Sequence, residues 1–148
     1  MSLPPFTASG DLPPGIHCAT LAEVLEQFGS GSPQRMLVGL RLERVYNVAR
    51  ATGHLARCVV FGSFVTAKPL PNDVDVFLLM EDTFDMAQLT GEARLLFEHA
   101  AAQTRFGASV FWLRRLAVLN DEQTTLSYWQ ITREGYHRGI IEIIPELP

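Results

Sequence analysis

Two apolar runs, ARCVVF at 56–61 and the stretch beginning at Asp73 and ending at Met80, constrain this chain more than any other feature. Each has the length of a strand and carries apolar residues at both parities of position. Strands buried on both faces belong to the middle of a sheet. The link between them is short, which predicts antiparallel neighbours in a hairpin-like pair and therefore a mixed sheet.

The remaining segments fit around that pair. Thr20 and Glu23 read as a capping box that opens a short helix ending at Phe28–Gly29. Ser32–Pro33 is a good start for a second helix, whose face Val38, Leu42, Val45 and Ala49 is apolar and which stops near Gly53. A helical region is expected over 85–105 with a stripe of Leu89, Ala93, Leu96, Phe97 and Ala100, weakened at Gly91. Further strands are expected at 108–114 and 139–144, the latter stopped by Pro145. Residues 120–138 carry no decisive period, and 126–131 reads equally as a helical turn or a strand. The expected fold is α/β (α+β): a mixed β-sheet of about four strands flanked by helices. It forms one domain over 1–148, with an extended Pro/Gly-rich surface arm at 1–19 and its core motif region at 56–115.

Bulk properties narrow the function. The net charge of −4 argues against an extended nucleic-acid surface. Eleven arginines supply the positive charge together with a single lysine, Lys68, which falls between the two apolar runs. Cys18 and Cys58 form neither a CxxC nor a disulfide framework. No apolar run reaches the roughly 18 residues of a membrane span, and residues 1–15 lack the pattern of a signal peptide. The cytoplasm is the expected compartment.

The chemistry gathers at Asp73 and Asp75. Residues i and i+2 of a strand share a face, so the two carboxylates project together from Cα atoms about 7 Å apart. At a separation of about 5 Å they would repel by ~3 kcal/mol at an effective dielectric of 20. A positive species between them removes that cost, and Mg2+ held by two carboxylates and substrate phosphates is the natural candidate. Gly62–Ser63 ends the preceding strand. A glycine there permits close approach to the backbone, and adjacent amides and a hydroxyl can hold phosphate oxygens.

Gly62-Ser63, nine residues, then Asp73-Val-Asp75-Val76 resembles the signature of the polymerase-beta-type nucleotidyltransferase superfamily. The resemblance is close over 56–80. Small bacterial members are also similar at Leu12–His17 (LPPGIH) and at Arg138–Ile141 (RGII). It implies transfer of a nucleoside monophosphate from a nucleoside triphosphate to an acceptor, with release of pyrophosphate. Asp73 and Asp75 would be the catalytic metal ligands, with a two-metal site allowed. Gly62 and Ser63 would bind the nucleotide. Apart from the resemblance, Lys68 lies in the loop between the two motifs and reads either as a point charge on a phosphate or as a solvated loop lysine. The acceptor (a protein, an RNA end or a small molecule) is left open. The family's third carboxylate belongs on the strand at 108–115, which contains no acid; Glu142 is the one acid in a later strand. The alternative is therefore a catalytically impaired binding module of the same fold, with a partner protein, as in a toxin–antitoxin pair.

Other residues read more plainly. One of Arg114 and Arg115 is a candidate for the same cleft. Trp112, Trp129 and Cys58 read as core, Trp112 and Trp129 in preference to base-stacking platforms. His54 reads as a cap-region residue and His99 as helix surface, while His137 stays open. The four histidines show no metal-ligand spacing.

Overall fold

The structure is a computed structural model that describes residues 3–146. Its elements are β1 (Ile16–Thr20), α1 (Leu21–Phe28), α2 (Pro33–Ala51), β2 (Leu55–Phe61), β3 (Val74–Met80), α3 (Gly91–Leu96), α4 (His99–Phe106), β4 (Ala108–Arg114), α5 (Glu122–Ser127) and β5 (Ile140–Ile144).

The strands form one mixed sheet in the order β1-β5-β2-β3-β4. As expected from the link between them, β2 and β3 are antiparallel, with Phe61 opposite Asp75 and Val59 opposite Phe77. β4 lies parallel to β3 and sets Ser109 beside Asp75. β5 runs antiparallel to β2, and β1 runs parallel to β5. Phe77, Leu78, Leu79 and Met80 are all buried, so β3 is covered on both faces. Cys58, Val60, Val76 and Leu78 join Val38, Leu42 and Val45 of α2 in the larger core. On the reverse face, Val59, Phe77, Leu79 and Ile140 pack with Leu126 of α5, and Phe61, Val118 and Trp129 lie against them. Each side chain taken fully out of water there contributes about 1.5–3 kcal/mol.

The caps read from the sequence are present. The Thr20 side chain accepts from the Glu23 amide, while the Glu23 carboxylate accepts from the Thr20 amide. The Ser32 hydroxyl accepts from the Arg35 amide, Pro33 opens α2, and Gly53 follows its end at φ +79°.

The sheet has five strands rather than four. Residues 16–20, expected within and just after the arm, form edge strand β1, and the arm is packed onto the domain through the buried Leu12. Met1 and Ser2 of the arm lie outside the described residues. The region 85–105 divides into a 3-10 turn at 86–88, α3 and α4. Its inner face in α4 is Ala102 and Phe106, while Ala100 is exposed. Residues 122–130 form α5 and a 3-10 turn. A hairpin follows, closed by the Ile131–His137 bridge and by the Arg138 amide donating to the Gln130 carbonyl at 3.0 Å.

One packing contact positions much of the site. The LPPGIH segment crosses the start of β5, where the Gly139 amide donates to the Leu12 carbonyl at 2.9 Å and the Ile140 amide to that of Gly15 at 3.1 Å. A side chain at 139 would collide with the Pro13 carbonyl, Leu12 and His17, so only glycine lets the segment lie this close. That contact ties together the two places, near residue 11 and near residue 138, where further charges enter the site.

Candidate active site

Asp73 immediately precedes β3 and Asp75 is its second residue. Both carboxylates open into a single cleft of about 880 Å³. Beside them Gly62 adopts φ +82°, and a Cβ there would collide with Oδ2 of Asp75. Glycine is therefore required for the carboxylate to rest over the turn, the close approach anticipated from Gly62. Ser63 begins a 3-10 turn anchored by the buried Phe64 and Val65.

Arg35 of α2 holds the following loop in shape. Its guanidinium donates to the carbonyls of Phe28 at 3.1 Å, Phe64 at 2.9 Å, Thr66 at 2.7 Å, and Lys68. Burial pushes its pKa down. The Thr66 hydroxyl adds a bond to the Ser63 carbonyl at 2.7 Å and accepts from the Lys68 amide at 3.1 Å. Ser63 and Lys68, five residues apart, thus stand on a braced loop.

Ser63, Lys68, Asp73 and Asp75 all line the cleft, and Gly62 lines a smaller cavity that adjoins it. The arm contributes Asp11, β4 contributes Ser109, and the hairpin contributes Arg133, Glu134, Tyr136 and Arg138. Asp75 is pushed up to about 6, first by burial and then by the charge of Asp73; the Ser109 hydroxyl, Arg138 and Arg133 oppose the shift. Ser109 Oγ also donates to Asp73 Oδ2 at 3.4 Å, and Arg138 pairs with Asp11 at 3.7 Å. The lining holds four carboxylates against Lys68, Arg133 and Arg138. As it stands it disfavours a polyanion; a dication between Asp73 and Asp75 reverses that balance.

Neither Arg114 nor Arg115 lines the cleft. The parallel register sets Arg114 beside Met80, five residues from the Asp75 row and about 16 Å along the strand. Arg114 donates to the Phe84 carbonyl at 2.7 Å, and Arg115 pairs with Glu81 and Glu122. Glu142, the acid expected as a stand-in, does not reach the cleft either, because Arg57 grips both its oxygens at 2.7 Å. The β4 position facing Asp75 is Ser109. Cys58 is buried, which pushes its thiol pKa up. Trp112 and Trp129 pack against the cores, and the Trp112 indole donates to the Phe97 carbonyl at 2.9 Å. His54 lies just past α2 and pairs with the Thr83 hydroxyl at 2.8 Å, as a cap-region residue would. His99 opens α4 beside the Val110 carbonyl, His17 sits on the Pro13 carbonyl, and His137 is exposed in the hairpin.

Sequence reasoning missed Asp11, Arg133, Arg138, Ser109 and Arg35 as site residues. Asp11 directly precedes LPPGIH and Arg138 opens RGII, so the paired motifs held the signal for those two. Nothing local marks the others.

Among the described residues no group of three or more His, Cys, Asp or Glu side chains could hold a metal. The donor set is two carboxylates with nearby hydroxyls. That is the set of a hard cation which keeps water and takes phosphate oxygens as further ligands, and it suits one Mg2+.

The chain belongs to a family of unknown function, DUF6932, whose model matches residues 4–144. No curated protein and no solved structure matches it.

Proposed function

We propose that the protein is a Mg2+-dependent nucleotidyltransferase that moves a nucleoside monophosphate from a nucleoside triphosphate to an acceptor. The observation that carries this reading is that Asp73, Asp75 and Ser63 line one cleft with three cations, with Asp75 resting against Gly62. Asp73 and Asp75 would hold the metal, which supplies charge neutralisation at the phosphates. Ser63 and the braced loop hold the triphosphate, with Lys68, Arg133 and Arg138 as its counter-charges. The acceptor hydroxyl attacks the α-phosphorus in line and gives up its proton to water, the bond to the bridging oxygen breaks, and pyrophosphate leaves with that electron pair. The polymerase-beta-type resemblance of residues 56–80 supports the same chemistry. Both cysteines are free thiols and no helix among the described residues is long and apolar enough to cross a membrane, in keeping with a cytoplasmic protein.

A second reading rests on Ser109, because the β4 residue beside Asp75 is a serine and not an acid. In that reading the fold holds a nucleotide for a partner protein, as one half of a toxin–antitoxin pair, without turnover. Incubation with α-labelled triphosphates, Mg2+ and protein, RNA or small hydroxyl acceptors separates the two. Label on an acceptor with stoichiometric pyrophosphate supports the transferase. Retained but untransferred nucleotide supports the binding module.

A further inference from the structure

We propose that the smaller cavity beside Asp75 is a nucleobase subsite with Phe111 as its stacking platform; this rests on the triphosphate reading above. The cavity measures about 340 Å³ and shares Asp75, Ser109, Arg133 and Arg138 with the larger cleft. The two spaces therefore adjoin at Asp75, as phosphates in one and the rest of a nucleotide in the other would require.

Their chemistry differs. The smaller cavity is walled by Phe61, His99, Phe111 and Trp129. The sheet explains why these rings gather there. Phe61, Asp75 and Ser109 form one row across three strands, and Val59, Phe77 and Phe111 form the next row on the same face. Phe111 thus stands one step from the carboxylate row.

Its surroundings hold it in place without covering it. The Phe61 and Trp129 rings meet in a tilted pair at 4.7 Å, and Phe111 leans on them at 6.2 and 5.1 Å between centroids. The His99 ring lies 5.0 Å from Phe111 on another side. Yet Phe111 remains 38% exposed, while Phe77, its neighbour on β3, is fully buried. A single exposed Phe on an edge strand is ordinary. A part-exposed ring that lines a cavity adjoining the carboxylate cleft offers a π-face where a base would arrive. Gln103 stands at the rim with its amide 3.4 Å from Ser109 Oγ, a polar group within reach of a base edge. Stacking on one ring accepts any base, since every base has a π-face. The subsite is thus expected to prefer larger purines modestly and to discriminate weakly within each class.

Calorimetric titration with Mg2+ and either ATP, CTP or inorganic tripolyphosphate tests this on wild type, Phe111→Leu and Phe111→Tyr. Leucine keeps apolar bulk in the sheet and removes the ring face; tyrosine keeps the face. Phe111→Leu is expected to weaken ATP about tenfold, the loss typical of one stacking platform. Tripolyphosphate binding should stay unchanged, and Phe111→Tyr should bind ATP as wild type does. Wild type binding tripolyphosphate as tightly as ATP, or Phe111→Leu altering neither or both equally, overturns the subsite and leaves the phosphate reading standing. Wild type binding neither ATP nor tripolyphosphate overturns both.

Discussion

Two groups of charges sit on one face of the sheet, at opposite ends, and they are built by opposite rules. Away from the cleft, Glu142, Arg57, Glu122, Arg115 and Glu81 form a chain of alternating sign, each link between 2.7 and 3.5 Å. Hydrogen bonding to Glu142 raises the Arg57 pKa, as expected where a cation gains by staying charged. At the cleft, Asp73 and Asp75 are like charges set together, and Asp75 is held up near 6. Arg35, the best-buttressed cation nearby, donates to backbone carbonyls instead of meeting them. The first group completes itself within the fold. The second is left with a need that a ligand can meet, and the proposed function rests on that contrast.

The largest effect should come from closing the space between Gly62 and Asp75. Gly62→Ala forces a side chain into a backbone region open almost only to glycine and into the Asp75 carboxylate. It should cost about 3 kcal/mol in urea unfolding. Adding Asp75→Ala to the same chain should recover about 1 kcal/mol of that by removing the collision. Equal losses in the single and double variants would deny the contact between turn and carboxylate.

Breaking the self-completed group should act on stability alone. Glu142→Gln leaves Arg57, whose side chain is 24% exposed, without its main partner. A loss of about 2 kcal/mol is expected, moderated by that exposure. Metal and nucleotide binding should be unchanged. A parallel loss of binding would mean that the two ends are coupled.

The cleft should answer in the opposite direction. Asp75 holds its proton more tightly folded than unfolded, so its contribution favours the fold below pH 4 and is lost as pH rises through about 6. Asp75→Asn should therefore stabilise the protein by about 2 kcal/mol at pH 7.5 and by little at pH 4. Mg2+ competes with that proton, so its affinity in the wild type should rise between pH 5 and 7, a window set by the value near 6. Unfolding curves at both pH values check the first claim. A flat profile, or a destabilised variant at pH 7.5, would mean that the carboxylate is satisfied already.

The legible parts of the molecule were local. Asp73 and Asp75 two apart, Gly62–Ser63 at a strand end, and the caps at Thr20 and Ser32 are patterns within a few residues. The structure keeps each where the pattern places it. β1 was not legible, because its five residues make sense only against β5, where Ile16 meets Ile140. Arg133 and Arg138 reach the cleft through a hairpin whose one bridge, Ile131–His137, leaves almost no period in the sequence. Asp11 arrives because Gly139 has no side chain to exclude the LPPGIH crossing. Arg114 and Arg115 show the converse. Their place at the end of a strand was read correctly, but which end of the sheet they occupy depended on β4 running parallel to β3.

The central claim is that Asp73 and Asp75 await a metal and its phosphates. Calorimetric titration of Mg2+ with ATP into wild type and into Asp73→Asn/Asp75→Asn tests it most directly. The account predicts triphosphate binding that requires Mg2+ in the wild type and disappears in the double variant, while the fold remains intact. Binding that persists in the double variant, or a wild type that takes up no triphosphate with Mg2+ present, would contradict it.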